Sequence, residues 1–242
     1  MSAPAEAPVA SDAEPPTPDT PLYTINTPRL ILRSPVPADA DAVSALFADE
    51  ANFPFDPPQQ PTPTPADYRK RFARWHAAAI RGESAFMVVE RREDGTIIGF
   101  GGWNGFEYQP AAAEKTEEDE VSRNGDDKPA AGDGATTPQI RVGDTGIVID
   151  HRHWRSGYAR EAFCATVESG FTEQGLARVV LDTAKENYVW RTFMRDGLGL
   201  AANERTRPSG RKKDDWEYAY AFDQAEWEAA KQALRAQGKW PL

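Results

Sequence analysis

One cysteine, Cys164, and three histidines leave no material for an internal disulfide framework. They leave little for a zinc site, which needs three or four ligands from a cluster of Cys, His and acidic side chains. No run approaches the roughly 20 apolar residues that cross a bilayer. The start of the chain lacks a basic stretch followed by an apolar one, so no signal peptide is expected. Basic residues are outnumbered, 28 Lys and Arg against 38 Asp and Glu, a net charge of -10. No basic surface for a phosphate backbone follows from that balance, so nucleic acid is not an expected partner, and neither is a membrane. The balance is compatible with cationic acceptors such as amines. Neither G-x-x-x-x-G-K-[ST] nor G-x-G-x-x-G between strand and helix occurs, which sets aside the mononucleotide P-loop and the dinucleotide fingerprint. A single thiol suits a reducing compartment, and the cytoplasm is the expected address, with the nucleus as the alternative.

What is present points to one globular domain. Hydrophobic residues make up 40% of the 242, with seven tryptophans, enough to build a core. Residues 1–21 are rich in Pro, Ala, Asp and Glu and cannot bury enough surface to offset ordering entropy, so they read as a disordered tail. A segment of the same character, about 109–138, carries Glu117-Glu118-Asp119-Glu120 and Asp126-Asp127 and reads as an acidic disordered insertion, a long surface loop within a single domain of residues 22–242.

Around that loop, strand and helix patterns alternate. Leu30–Arg33 reads as the first strand, Ala38–Ala48 as a helix and Asn52–Pro63 as a proline-rich loop. Thr64 and Asp67 form a capping box, with Pro65 at the first helical position, for a helix that stops near Gly82. Ala85–Glu90 and Thr96–Gly102 are β-rich runs joined through Asp94-Gly95, a hairpin signal. Gly146–Ile149 is a short apolar strand, followed by a helix over about Gly157–Gln174 with Ala159, Phe163, Val167 and Phe171 on one face. Arg178–Thr183 is the next strand and Asn187–Arg195 a short helix. Leu200–Thr206 and Trp216–Phe222 form a final strand pair, and Asp223 with Glu226 opens a last helix.

The segment that carries chemistry is Trp154-Arg155-Ser156-Gly157-Tyr158-Ala159-Arg160, between a strand and a helix. A helix start presents amides without internal partners, and its dipole favours anions. Ser156, Gly157 and Ala159 are small enough for a diphosphate to approach the backbone, and Arg155 and Arg160 add charge. The alternative is an ordinary helix start with a glycine turn.

Four stretches resemble the GNAT-type N-acetyltransferase family, in particular its ribosomal-protein alanine acetyltransferase (RimJ/RimL-like) branch. They are Thr27–Arg33, Gly146–Asp150, His153–Ala162, and Asn187 followed by Leu198-Gly199-Leu200. The resemblance implies an α/β fold, the GNAT acyl-CoA N-acyltransferase fold: a mixed, mostly antiparallel sheet flanked by helices and splayed between its fourth and fifth strands. It implies acetyl-CoA as cosubstrate and a primary amine as acceptor, on a protein N-terminus or a small molecule. By the same resemblance, backbone groups of Ile147, Val148 and Ile149 bond the pantetheine arm, Trp154–Arg160 hold the pyrophosphate, and Asn187 contacts the arm. Asp144 stands near where the branch carries a glutamate and is the candidate general base; the alternative is a solvated loop aspartate. Tyr188 is the candidate acid for the leaving thiolate, against a packing tyrosine with a wet hydroxyl.

The chain departs from the family pattern at Trp190, where a small residue is usual, in the spacing from Asn187 to Gly199, and in the expanded linker before Gly146. The remaining candidates have plain readings. His151 and His153 lie on the approach to the loop, and no third ligand completes a metal site. His76 is a surface histidine, and Cys164 a small group at the core edge. The clusters Asn52-Phe53-Pro54-Phe55 and Trp103-Asn104-Gly105-Phe106 lie in or beside loops and read as packing, with lining of the acceptor groove as the alternative. Arg211-Lys212-Lys213 is a solvated hairpin tip. Two rival functions stand beside the enzyme: a catalytically weak acyl-CoA-binding module, and an interaction protein acting through its acidic loop.

Overall fold

The structure, a computed structural model, describes residues 19–55, 60–111, 138–210 and 214–242. The expected tail up to Pro18, the acidic runs Glu117–Glu120 and Asp126-Asp127, and the basic run Arg211–Lys213 lie outside the described residues. The elements are β1 (Thr24–Asn26), β2 (Leu30–Arg33), α1 (Ala40–Ala48), α2 (Pro65–Ile80), β3 (Ala85–Arg91), β4 (Ile97–Pro110) and β5 (Gln139–Ile149), then α3 (Tyr158–Thr172), β6 (Arg178–Ala184), α4 (Tyr188–Thr192), β7 (Glu204–Pro208), β8 (Trp216–Asp223) and α5 (Gln224–Ala236). They build one eight-stranded sheet in the order β1-β2-β3-β4-β5-β6-β8-β7. Every neighbouring pair is antiparallel except β5 and β6.

Local signals explain much of this. The Thr64 hydroxyl accepts from the Asp67 amide at 3.3 Å and the Asp67 carboxylate accepts from the Thr64 amide at 3.0 Å, the reciprocal pair that opens α2. Asp223 and Glu226 do the same for α5. Alternation along the strands assigns the two faces. Met87, Val89, Ile98 and Ile149 point to the face that α3 covers, beside Ala162. Val88 and Phe100 point to the other face, under Val43, Leu46, Tyr68 and Phe72 of α1 and α2. The largest core cluster packs Phe163 and Val167 of α3 and Trp227 of α5 on Leu181, Tyr220 and Phe222.

Several expected boundaries move. β1 was not foreseen, so the strands expected fourth and fifth are β5 and β6. β4 and β5 run far beyond the short strands expected, and Trp103–Phe106 is strand, not loop. The strand continues past the expected end at Gly102, and Gly101 and Gly102 (φ 101) lie within the sheet against neighbouring backbone. β4 pairs out to Pro110 opposite Gln139, and the Ala111 amide donates to the Pro138 carbonyl at 2.7 Å, so Gln109 and Pro110 belong to the sheet. Leu200–Asn203 is not strand: the Leu200 amide donates to Met194 and Ala201–Asn203 form a 3-10 turn, so β7 starts at Glu204.

Candidate functional site

β5 is hydrogen-bonded to β4 along its length but to β6 over only three positions, Val142↔Arg178, Gly143↔Val179 and Asp144↔Val180. From Thr145 onward the two parallel strands part. The divergence begins at a β-bulge, where the register between β4 and β5 shifts at Asn104 and the local twist increases. Residues of an antiparallel pair point their backbone groups alternately toward and away from the partner. The Asp150 amide donates to the Ile98 carbonyl at 2.8 Å, so even positions of β5 face β4 here. Ile147 and Ile149 therefore turn their amides and carbonyls into the gap, whereas those of Val148 belong to the ladder. One of the gap-facing groups is already used, since the Trp154 indole N–H donates to the Ile149 carbonyl at 2.6 Å. A cavity of about 260 Å³ fills the gap, with Phe53, Pro54, Ile147, Thr183, Asn187 and Trp190 in its walls.

At the end of β5 the chain turns through His151–His153 into the predicted loop. The Asp150 carboxylate accepts from the Arg152 amide at 3.0 Å and from its guanidinium, which hold the carboxyl down at about 2. Arg155 (φ 62) and Gly157 (φ 80) both take the left-handed conformation, which costs a residue with a Cβ but not glycine. Gly157 is the N-cap of α3 and supplies no side-chain cap. The first intrahelical bond of α3 runs from Glu161 to Gly157, and no protein acceptor among the described residues takes the amides of Tyr158, Ala159 and Arg160. Residues 154–157 are exposed, so these donors open to the surface beside the gap.

Asn187 sits on the opposite wall. Its side-chain carbonyl caps α4 by accepting from Trp190 at 3.2 Å, and its amide donates to the Thr183 hydroxyl at 3.0 Å. Tyr188, next in sequence, is 70% exposed and outside the cavity lining. Trp190 packs edge-on to Phe163 at 5.3 Å, so the residue that departs from the family pattern joins the core and the cavity wall together.

Asp144 lies at the vertex, the last position where β5 and β6 pair. It faces the side of the sheet that α1 and α2 cover only in part. A groove of about 490 Å³ runs there, with Glu107, Asp144, Asp182, Arg205 and Arg207 on its walls. Burial pushes the Asp144 carboxyl above the ordinary value, while the Asn104 side chain, donating at 3.3 Å, holds it back.

A family model described as the acetyltransferase (GNAT) domain matches residues 29–196, more than half of the chain. The chain belongs to the GNAT acetyltransferase family. No curated protein matches the sequence. Among solved structures, RimJ of Mycobacterium smegmatis in complex with CoA-disulfide is 18% identical, with 91% of this chain and 96% of that one covered at a TM-score of 0.63. The ribosomal-protein-S5-alanine acetyltransferase of Vibrio fischeri is 15% identical, with 85% and 98% covered at 0.60. Apo FdhC, a nucleotide-linked sugar GNAT, is 14% identical, with 91% and 99% covered at 0.62. These likenesses concern the fold, and the splayed β5–β6 pair is the feature expected for it.

Within this GNAT domain Ile147 and Asn187 stand in the walls of one gap, the loop that opens α3 is tied to the end of β5 through Trp154 and Ile149, and Asp144 lies at the vertex. The structure leaves Tyr188 apart. Phe53 and Pro54 line the gap and not the groove beside Asp144. Asn52 fixes this loop by accepting from the His151 amide at 2.7 Å and donating to Leu46 at 2.8 Å. His151 pairs with Asp49 at 3.1 Å, and His153 lies against Tyr158. Cys164 is fully buried within the core, not at its edge, and burial pushes its thiol up to about 12. Asn104, in a cluster for which lining of the acceptor groove was the alternative reading, is a bulge residue on the wall of the groove beside Asp144, whereas sequence reasoning passed over the link between Arg29 and Glu161. Among the described residues, no helix is long and apolar enough to cross a membrane.

Proposed function

We propose that this chain transfers an acetyl group from acetyl-CoA to a primary amine, on a protein N-terminus or a small molecule, by direct attack within a ternary complex. The observation that carries this reading is the parting of β5 and β6 next to an uncapped start of α3: unpaired strand donors and unpaired helix donors lie along one path. The gap and the amide nest fit the two halves of an acyl-CoA. When bound, acetyl-CoA supplies a thioester carbonyl that an amine can attack.

The residues of the chain divide the remaining work. The Ile147 amide and carbonyl and the Ile149 amide would hold the pantetheine arm as an added strand. The amides at the start of α3 would hold the pyrophosphate, with Arg155 and Arg160 adding charge. Asn187, anchored at both ends of its side chain, would offer its remaining donor to the arm. Asp144 would take the proton from the incoming ammonium, directly or through a water, and burial raises its pKa in the direction a base needs. As the tetrahedral intermediate collapses the C–S bond breaks, and the proton then lost by the amine nitrogen goes to the leaving thiolate. Asp182 in the groove is paired with Arg207, which leaves Glu107 and Asp144 as the carboxylates that a cationic acceptor would meet. We assign Tyr188 no part in the step, because it stands outside the cavity.

Free-thiol release from acetyl-CoA, measured against a panel of peptides with free α-amines and small amines, tests the reading beside CoA-binding calorimetry. Saturable release with at least one amine is expected, and Asp144→Asn should lower kcat/KM by about 100-fold with no loss of thermal stability. CoA binding without transfer to any amine would leave a binding module, and no CoA binding would end the proposal altogether.

A further inference from the structure

We propose that Arg29, held by buried Glu161, is a positioning residue for the acyl-CoA loop: it locks the Ser156–Gly157 peptide so that the Gly157 amide faces the pyrophosphate. The inference rests on the cofactor reading above and adds a residue from the other end of the chain to it.

Glu161 lies in the first turns of α3 and is 1% exposed. A carboxylate so placed is expected to serve its own helix, by reaching back to unpaired amides. This one turns away instead. Its Oε1 accepts from the Thr27 hydroxyl at 2.6 Å and the Arg29 amide at 2.8 Å, and its Oε2 accepts from Arg29 Nε at 2.6 Å. All of these donors come from the segment that leads into β2. A buried carboxylate needs such a full set of donors, and by finding them just before β2 it leaves the helix-start amides unspent.

The guanidinium then forks. While Nε binds Glu161, Nη1 donates to the Ser156 carbonyl at 2.9 Å, and the plane lies 4.6 Å above the Tyr158 ring. A trans peptide is planar, with its carbonyl and N–H pointing in opposite directions. Drawing the Ser156 carbonyl toward Arg29 therefore turns the Gly157 amide away from Arg29. The residues flanking this peptide unit make the lock necessary: Arg155 at φ 62 sits in a conformation unfavourable for a residue with a Cβ, and Gly157 at φ 80 is free to leave its own. Without the anchor the loop would lose its single arrangement. Arg29 is also close enough to border the nest, since its Nη2 would stand 3.3 Å from a Cβ added at Gly157.

Lysine separates the two functions of the fork, because an ammonium can pair with Glu161 but cannot hold the carboxylate and the Ser156 carbonyl in one rigid plane. Arg29→Lys and Arg29→Gln are measured for CoA affinity by calorimetry and for kcat and both KM values, at a temperature where each variant is fully folded. Arg29→Lys should weaken CoA binding and raise the acetyl-CoA KM by about tenfold, with kcat at saturating acetyl-CoA and the amine KM unchanged. Arg29→Gln should lose more affinity. Arg29→Lys binding CoA within twofold of the parent would overturn the proposal, as would a fall in kcat with an unchanged acetyl-CoA KM. Failure of the parent itself to bind CoA would instead strike the cofactor reading, so the two failures are distinct.

Discussion

The two ends of β5 share one backbone and reach opposite outcomes. At Val142–Asp144 the strand is bonded on both edges, whereas beyond Thr145 it is bonded on one. The closed end is sealed by volume. Trp103 lies against Gly143 and Gly170 with Leu176 beside it, so that a Cβ on Gly143 would meet Leu176 at 2.6 Å and Trp103 at 2.7 Å. The Ala177 amide donates to the Arg141 carbonyl at 2.9 Å, and the Arg141 side chain donates to Gln174 at 2.6 Å, tying the start of β6 to β5. The open end is held apart by groups that are not strands: the Asn187 cap, Trp190 and the Phe53 loop. A gap in a sheet is thus a construction. Every backbone group released from the ladder must find another partner, and here Ile147 has none among the described residues while Ile149 keeps a free amide.

That contrast predicts that lesions at the open end strike binding and lesions at the closed end strike stability. Gly157→Glu is the strongest test. It places a carboxylate where the pyrophosphate would sit, beside a helix start whose field it partly cancels, and it forces a residue with a Cβ to φ 80. CoA affinity should fall by more than about 100-fold, with the circular dichroism spectrum retained and the melting temperature lowered by only a few degrees. Undiminished binding would remove the loop from the site.

Gly143→Val is the mirror experiment. Valine favours strands, but at this position it must displace Trp103, an overpacking cost of about 1–3 kcal/mol. The melting temperature should drop, and CoA affinity measured below the transition should remain within twofold of the parent. A variant that melted normally but lost CoA would erase the division between the two ends.

How legible this was in the sequence follows the range of each interaction. The capping boxes at Thr64–Asp67 and Asp223–Glu226, the hairpin at Asp94-Gly95 and the loop His153–Ala162 are local, and each was readable from neighbouring residues. The outer half of β4 was not. Asn104 and Gly105 carry turn signals, and only pairing with β5 through a bulge shows that they belong to the strand. The short strand β1 has three residues and no alternation to detect, and exists through pairing with β2. The alternation of backbone groups on β5, which turns those of Val148 to the ladder, depends on register with β4. Arg29 and Glu161 lie 132 positions apart, and nothing in either neighbourhood announces the other. Trp190 read as a departure from the family pattern because sequence shows its size but not that it packs edge-on to Phe163.

The smallest effect comes from acid, and it separates the same two ends by sign. Glu204 on β7 accepts from Arg191 of α4 at 2.8 Å and from Arg195 at 3.2 Å, and these arginines hold its carboxyl down at about 2. Its folded value lies below the ordinary carboxylate range, so the unfolded chain takes up the proton first. The stabilisation is complete above the unfolded value and fades as pH falls toward about 2. Asp150, at the mouth of the gap, behaves alike through Arg152. Asp144 at the vertex is shifted the other way by burial, and its protonation relieves a cost. Acid should therefore loosen the walls of the gap before the closed end. Melting temperatures from pH 6 to pH 2.5 should show Glu204→Gln below the parent by a few degrees at pH 6, with the difference shrinking as pH falls. Amide exchange at low pH should rise in α4 earlier than at Val179 and Val180. A constant offset between the two proteins across that range would mean that the Glu204 carboxylate contributes through its shape and not its charge.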